Sequence, residues 1–312
     1  MSRRDAEIDI DSLIQEFNTF CAANLPSDIL RRMQDYEGEH LAYVSSQYGR
    51  FVSQFEASYD ALVRIIDHVN YGAERSKWPG HRVVQFIVAV QNVKPIRSAQ
   101  DRLLRGYYED SLTLMRVAYE AFVRIVFISL HPDAPVYSFG ERRKGARHFN
   151  LTNFVADELR LGWNEYEVLS AMAHSYKLAV LKQLTEIGSE GQREPLTLSF
   201  TRDEVHLTVG INILEFLLLV YLRTATTILL HPVKPGALDQ KVLSRATKCI
   251  ELWQKSFVSH PKPYWRTVAN DLDYVFELVR AAEDGRDWKR IREELKPRPL
   301  GARSSDPAKR DV

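Results

Sequence analysis

The chain is poor in the residues that mark several common classes of protein. Its 312 residues include two cysteines, 14 glycines and 13 prolines. Cys21 and Cys249 cannot build the disulfide framework of a small secreted domain, and their separation does not match a zinc knuckle. Few glycines and prolines disfavour β-sandwiches, propellers and glycine-rich nucleotide folds. We therefore expect a mostly helical, cytoplasmic protein.

Excess charge of one sign is also lacking. The chain has 42 Lys+Arg and 41 Asp+Glu, a formal net charge of +1. No global field therefore attracts nucleic acid or an anionic membrane, and such a contact requires a local patch. The hydrophobic share of 45% and the charged share of 27% are close to the globular average, which excludes a mainly disordered chain.

The common catalytic and cofactor motifs are missing. The sequence contains no Gly-x-x-x-x-Gly-Lys-Ser/Thr, Gly-x-Gly-x-x-Gly, His-Glu-x-x-His or Gly-x-Ser-x-Gly segment. The nine histidines are scattered at spacings that do not suit a metal site. We expect no cofactor and no metal, and the pattern favours a protein that is not an enzyme.

The longest apolar stretch runs over 209–230 and contains Asn212, Glu215 and Arg223. Each charge near the centre of a membrane helix would cost roughly 2.5–3.5 kcal/mol to insert. We therefore predict a buried helix of a helical domain and no membrane span. Glu215 and Arg223 share a face of that helix but lie too far apart to pair.

Hydrophobic periodicity predicts an all-α fold, a multi-helix array with long central helices and a C-terminal helical hairpin. Pro95 is expected to kink or interrupt its helix, and a short strand is predicted over 196–200. The predicted helices cover 11–21, 27–70 with a break near Gly49, 82–93, 98–130, 150–161, 164–187, 203–230, 238–258, 264–282 and 288–295.

The clearest internal boundary is the segment 231–236, where two prolines and a glycine cannot continue a helix. We predict a helical core domain over 1–231 and a C-terminal helical appendage over 236–296. The polar tail over 297–312 is predicted to be disordered.

The predicted helix over 98–130 carries charges within an apolar stretch. Residues 117–128 are apolar nearly all round, which predicts burial, yet Arg116, Glu120 and Arg124 follow one another at four-residue steps. Charges are rarely buried unless paired. Two interpretations stay open. One is a structural ion network that fixes helix register. The other is a polar pocket where an arginine binds a small anion, such as a phosphate or nucleotide, with Glu120 steering it.

Two further segments carry candidate chemistry. His174 follows Ser170 by one helical turn, so the hydroxyl could bond the imidazole. A histidine flanked by apolar residues is more often a core side chain than a base. The basic turn over 141–148 is most simply a solvated loop. It also contains the best local candidates for phosphate contacts and, with His148, for acid–base chemistry: Arg142, Arg143, Lys144 and Arg147.

The stretch around Arg116 and Glu120 resembles a group of uncharacterised bacterial helical proteins. In that group a long helix carries an Arg-x-x-x-Glu pair, and a later helix carries a Ser-x-x-x-His element, here Ser170 and His174. The resemblance covers residues 97–230. It implies an array related in general shape to HEPN and abortive-infection proteins, which mobile elements often carry. It also implies that Arg116, Glu120 and His174 converge at one pocket.

Three functional hypotheses follow. The first is a non-enzymatic helical binding or regulatory protein of the bacterial cytosol, linked to mobile elements or phage defence. The second is a HEPN-like, metal-independent ribonuclease or toxin, which would use Arg143 and His148, or Arg116 with Glu120 and His174. The third is small-anion binding at Arg116, with Arg124 and Ser170 beside it. The expected partner is a second copy of the chain or another protein. RNA stays open as a partner, although the net charge does not indicate it.

Overall fold

The computed structural model describes residues 29–72, 78–133, 150–161, 204–230 and 240–295, together with residues 15 and 19. Within these ranges the chain is all-α, with nine helices and no strand, which confirms the predicted multi-helix fold. The predicted helix over 164–187, the strand over 196–200, the tail over 297–312 and most of the first predicted helix lie outside the described residues.

The helices keep the order of the predicted array. The break near Gly49 and the last helix, at 288–295, lie where the sequence predicts them. Two single π-helical turns, Phe154–Glu158 and Ala225–Leu229, extend α5 and α6. The helices are α1 Ile29–Gln47, α2 Gly49–Gly72, α3 Gly80–Leu104, α4 Tyr108–Leu130, α5 Leu151–Asn153, α6 Glu204–Thr224, α7 Gln240–Val258, α8 Pro263–Glu283 and α9 Trp288–Leu295.

Of the two predicted effects of Pro95, a kink or an interruption of its helix, the interruption is wrong. Proline removes one backbone hydrogen bond and crowds the preceding turn, which favours a break. α3 nevertheless runs through Pro95 from Gly80 to Leu104. On either side of the proline, Val93, Ile96 and Ala99 are buried in the core. Burial of these side chains offsets the lost bond, so the helix continues.

The predicted helix over 98–130 is interrupted by a turn at residues 105–107. Gly106 has φ +87°, a left-handed conformation that favours glycine. The Tyr107 N–H donates to the Arg102 carbonyl at 2.9 Å, and the Gly106 N–H donates to the Leu103 carbonyl at 3.1 Å. This pair of bonds is the Schellman ending of an α-helix. The chain therefore reverses at Gly106.

α3 and α4 consequently form an antiparallel hairpin. Near the turn, the Ser111 hydroxyl donates to the Ala99 carbonyl at 2.6 Å. At the far end, the Gln85 amide donates to the Ser129 hydroxyl at 2.7 Å. The early residues of one helix thus lie beside the late residues of the other.

The most apolar helix, α6, lies at the centre of the bundle and packs on α2, α3, α4 and α7. The stretch Glu204–Leu229 has the length and apolar composition of a membrane span, and 72% of its most apolar window is buried inside the protein. Leu214, Leu217 and Leu222 are fully buried. α6 is therefore a buried helix of the bundle, as predicted, whereas the lack of a membrane span stays a prediction.

The C-terminal helices contribute to the same apolar core as α2–α6. The Trp253 indole in α7 donates to the Ser58 hydroxyl in α2 at 2.9 Å. The Trp288 indole at the start of α9 donates to the Leu130 carbonyl at the end of α4, also at 2.9 Å. The division into a domain over 1–231 and an appendage over 236–296 stays a prediction, because a shared core does not decide whether the first part folds alone.

We predict that Gly106→Ala lowers the free energy of unfolding by about 1 kcal/mol, because a side chain disfavours the left-handed conformation. Gly38→Ala is the matched control. Gly38 lies inside α1, and a Cβ added there would meet nothing within 4 Å beyond the backbone of its own helix. Gly38→Ala should therefore raise the free energy of unfolding by roughly 0.5–1 kcal/mol. Urea unfolding followed by circular dichroism measures both. Equal effects of the two substitutions would contradict the role assigned to Gly106.

Candidate functional site

Arg116 and Glu120 form an ion pair along one face of α4. The Arg116 Nε–H donates to Glu120 Oε1 at 2.9 Å. The side chains are 19% and 33% exposed, so the pair is only half-buried. This is the i, i+4 arrangement that the spacing predicts.

The prediction that residues 117–128 are buried nearly all round is wrong at two positions. Val117 is 47% exposed, and Arg124 is also exposed. At 100° per residue these two side chains share one face of α4 with Glu120. α3, α6 and α8 pack on the helix and leave that face at the surface. Glu120 and Arg124 are therefore in contact with solvent.

The remaining predicted site residues lie outside the described residues. They are Arg142, Arg143, Lys144, Arg147, His148, Ser170 and His174. The convergence of Arg116 and Glu120 with His174 accordingly stays a prediction, as does any chemistry of the basic turn.

A buried ion pair that the sequence did not indicate joins Arg82 of α3 to Glu283 at the end of α8. The two side chains are only 9% and 5% exposed. Arg82 Nη1 also donates to the Ile228 carbonyl at 3.2 Å, in the π-helical turn after α6. Burial lowers the pKa of Arg82 to about 10, which leaves the guanidinium charged at neutral pH.

Gln85 extends this polar network along α3. Its Oε1 accepts from Arg82 Nη1 at 3.4 Å, and its amide donates to the Ser129 hydroxyl. Arg82, Gln85 and Ser129 are all buried. These groups bond to one another inside the protein, so the network is suited to holding helices together.

A second buried polar contact fastens α1 to the α3–α4 turn. His40 Nδ1 lies 2.8 Å from the Leu104 carbonyl, and its Nε2 lies 2.7 Å from the Tyr108 hydroxyl. Because a carbonyl only accepts, Nδ1 carries the proton and Nε2 accepts from the phenol. His40 and Tyr108 are 6% and 7% exposed. Both ring nitrogens are therefore bonded inside the protein, and the imidazole is not accessible to a substrate.

The start of α6 is held by two tyrosines from the α1–α2 junction. The Tyr43 hydroxyl donates to Glu204 Oε1, and the Tyr48 hydroxyl donates to Glu204 Oε2 at 3.0 Å. Each carboxylate oxygen thus has one phenol donor. Burial raises the pKa of Tyr48, with the Glu204 charge adding to the effect.

The end of α4 carries a histidine–carboxylate pair. His131 Nε2 lies 2.6 Å from Glu158 Oε2, in the π-helical turn after α5. The Trp288 ring meets the His131 ring edge to face at 5.5 Å. The pair is half-buried, with side chains 12% and 25% exposed. It joins α4, the π-helical turn and the start of α9.

Glu215 is a half-buried carboxyl in the middle of α6. Burial raises the pKa of Glu215 to about 7, and the Arg50 charge opposes that shift. Arg223 does not pair with it, as the sequence predicts. Arg223 Nη1 instead donates to Asp273 Oδ1 of α8 at 2.5 Å. Ionisation of Glu215 therefore destabilises the folded protein, and this destabilisation grows as the pH rises.

An open cavity of about 480 Å³ lies against the first half of α7. Its lining includes three exposed cations, Lys241, Arg245 and Lys248, together with Gln240 and Ser244. Lys241, Arg245 and Lys248, together with exposed Lys255, share one face of the helix because they follow at steps of four, three and seven residues. We call these four residues the basic face of α7.

The basic face of α7 adjoins α2 through a salt bridge. Arg245 Nη1 donates to Asp60 Oδ2 at 2.8 Å, and Arg64 Nε donates to the same carboxylate at 3.0 Å. Asp60 therefore has two cationic partners. The spacing of the four cations is visible in the sequence of α7, but sequence reasoning directed attention to the basic turn over 141–148.

Within the described ranges, no group of three or more His, Cys, Asp or Glu side chains could hold a metal ion. The chain matches no family model, no curated protein and no solved structure. Its candidate sites consequently rest on geometry alone.

We predict that Glu215→Gln removes part of the pH dependence of stability. The folded-state pKa, about 7, lies above the ordinary value of 4.5, so the folded protein binds the extra proton between these values. The free energy of unfolding should therefore fall as the pH rises from about 5 to 8. Urea unfolding across this range should give a flatter profile for Glu215→Gln, with the largest gain at pH 8.

Glu109→Gln, which alters an exposed carboxyl of α4, is the control and should leave the slope unchanged. Identical profiles for wild type and Glu215→Gln would contradict the assignment of a proton to Glu215 near neutral pH.

Proposed function

We propose that this protein is a non-enzymatic helical binding protein that holds an anionic partner on the basic face of α7. The observation that carries the proposal is the cluster of cations at α7, where Lys241, Arg245 and Lys248 line a shallow, open depression. Cations grouped on one surface raise the local positive potential even when the whole chain is nearly neutral.

The charge balance of α7 supports this choice. The helix contains the four cations of the basic face and one carboxylate, Glu251. Glu251 follows Lys248 by three residues and precedes Lys255 by four, so it shares this face and offsets part of its positive charge. Asp60, the acidic neighbour on α2, is already bonded by Arg64 and Arg245. The five residues that line the cavity are three cations and two uncharged side chains, Gln240 and Ser244.

The buried polar groups of the described part support a role without catalysis. A general acid or base must come within hydrogen-bond reach of its substrate. Arg82 and Glu283 bond each other in the core, and His40 is enclosed by Tyr108 and Leu104. These groups serve to join helices. A location in the bacterial cytosol and a link to mobile elements or phage defence stay predictions.

Anion binding at Arg116 is the less favoured alternative, because Arg116 lies beside the Glu120 carboxylate, whereas three cations line the cavity at α7. The ribonuclease alternative depends on His148 or His174, which lie outside the described residues. Both alternatives stay predictions.

The test is binding of fluorescently labelled inorganic polyphosphate, a polyanion without bases, measured by anisotropy. We predict saturable binding to wild type and at least about a tenfold loss of affinity in the variant Lys241→Glu/Lys248→Glu, since each lost phosphate contact weakens an electrostatic complex. Lys94→Glu/Lys262→Glu is the matched control. It changes the net charge equally at exposed lysines of α3 and of the loop before α8.

Equal losses in the two double variants would mean that only net charge matters, and would overturn the proposed surface. The same samples are incubated with labelled RNA, which should remain intact. Cleavage that disappears in His148→Ala or His174→Ala would overturn the non-enzymatic function.

A further inference from the structure

Tyr71, at the end of α2, presents an aromatic ring to solvent. It is 84% exposed, more than any other large hydrophobic side chain of the described residues. An aromatic ring offers a large apolar face that stabilises contacts mainly when it is covered. The ring is therefore accessible to a ligand that stacks on it.

Tyr71 lies on the side of α2 that faces the basic face of α7. Asp60, Arg64, Asp67 and Tyr71 follow at steps of four, three and four residues, so they share one face of α2. Asp60 at the start of this row bonds Arg245 of α7. The exposed ring therefore belongs to the same side of the molecule as the cavity.

The two helices run in opposite directions across this surface. Ser58 of α2 meets Trp253 of α7, whereas Asp60, later in α2, meets Arg245, earlier in α7. Continuing this direction brings the end of α2, with Tyr71, toward the first turn of α7, with Lys241. The ring and the cavity are thus at the same end of the surface.

The basic face of α7 is longer than a single phosphate or a free nucleotide requires. Lys241 and Lys255 are 14 positions apart, which is about 21 Å at the rise of an α-helix. A row of cations of this length fits a chain of phosphates. The row lies beside one exposed aromatic ring, and that pairing of cations and ring is how proteins bind unpaired nucleotides.

We propose that the anionic partner on the basic face of α7 is a single-stranded nucleic acid, with its phosphates along Lys241, Arg245, Lys248 and Lys255 and one base stacked on Tyr71. This inference rests on the proposed function and names the ligand class of the same surface. A duplex fits less well, because its bases are stacked inside and cannot cover the ring.

Asp67 is the acidic group nearest to Tyr71 along α2 that opposes this assignment. It is exposed one turn before Tyr71 on the same face of α2. A phosphate that passes from Tyr71 to α7 would be repelled by it. Asp67→Asn should therefore raise the affinity for the single-stranded nucleic acid.

The experiment measures anisotropy of a fluorescein-labelled oligothymidylate of about 15 nucleotides, a length near the upper site size of single-strand binding modules. Base stacking contributes about 1–3 kcal/mol per base, so Tyr71→Ala should weaken binding roughly 5- to 150-fold. Tyr71→Phe keeps the ring and should bind like wild type. Tyr36→Ala, at a 47% exposed tyrosine of α1, is the matched control and should also bind like wild type.

Salt dependence separates the two kinds of contact. Lys248→Ala should lower the slope of log K against log salt by about 0.7, the value expected for one single-strand phosphate contact. Tyr71→Ala should leave that slope unchanged. A slope that changes in Tyr71→Ala and not in Lys248→Ala would overturn the assigned contacts.

The outcomes distinguish this inference from the proposed function. Polyphosphate binding together with no oligothymidylate binding, or with full affinity of Tyr71→Ala for the oligonucleotide, would overturn the inference and leave the proposed function standing. Failure of both probes would overturn both. A matched duplex that binds as tightly as the single strand would also contradict the inference.

Discussion

The buried ion pair between Arg82 and Glu283 joins elements of the bundle that lie far apart in the sequence. Arg82 lies near the start of α3, Glu283 ends α8, and the guanidinium also donates to Ile228 in the turn after α6. Two buried charges are costly to desolvate, and only a good partner on each side offsets that cost. The pair therefore requires all three elements to be in place together.

Other polar contacts have the same character and lie at the ends of helices. His40 binds Leu104 and Tyr108 beside the α3–α4 turn. His131 and Trp288 fasten the end of α4 to its neighbours. The apolar core supplies most of the driving force, whereas these contacts select one arrangement of the helices.

The proposed binding of an anion by a nearly neutral chain depends on the basic face of α7. The formal net charge is +1, yet Lys241, Arg245 and Lys248 meet at one cavity. Local potential depends on the charges nearby and is screened beyond about a Debye length, roughly 8 Å at physiological salt. The distribution of charge over the helices thus matters more for binding than its sum.

Much of the fold could be predicted from the sequence, because periodicity and helix-ending residues are local signals. α6, α9 and the break at Gly49 follow from such signals. The turn at Gly106 was missed although its glycine was visible. The interruption predicted at Pro95 is wrong because the burial of the neighbouring side chains depends on the whole bundle, which local sequence does not show.

Tertiary contacts were beyond local reasoning. The i, i+4 spacing predicts the Arg116–Glu120 pair, but not which face of α4 its neighbours cover. Nothing near Arg82 in the sequence indicates Glu283, because the two residues meet only when α3 and α8 pack together.

A double-mutant cycle on the buried pair tests the central claim most directly. We predict that Arg82→Met and Glu283→Leu each lower the free energy of unfolding by about 3–5 kcal/mol, because each leaves one buried charge without its partner. The double variant should regain a large part of that loss, since it buries no charge. Single losses below about 1 kcal/mol that simply add in the double variant would contradict a buried, mutually dependent pair.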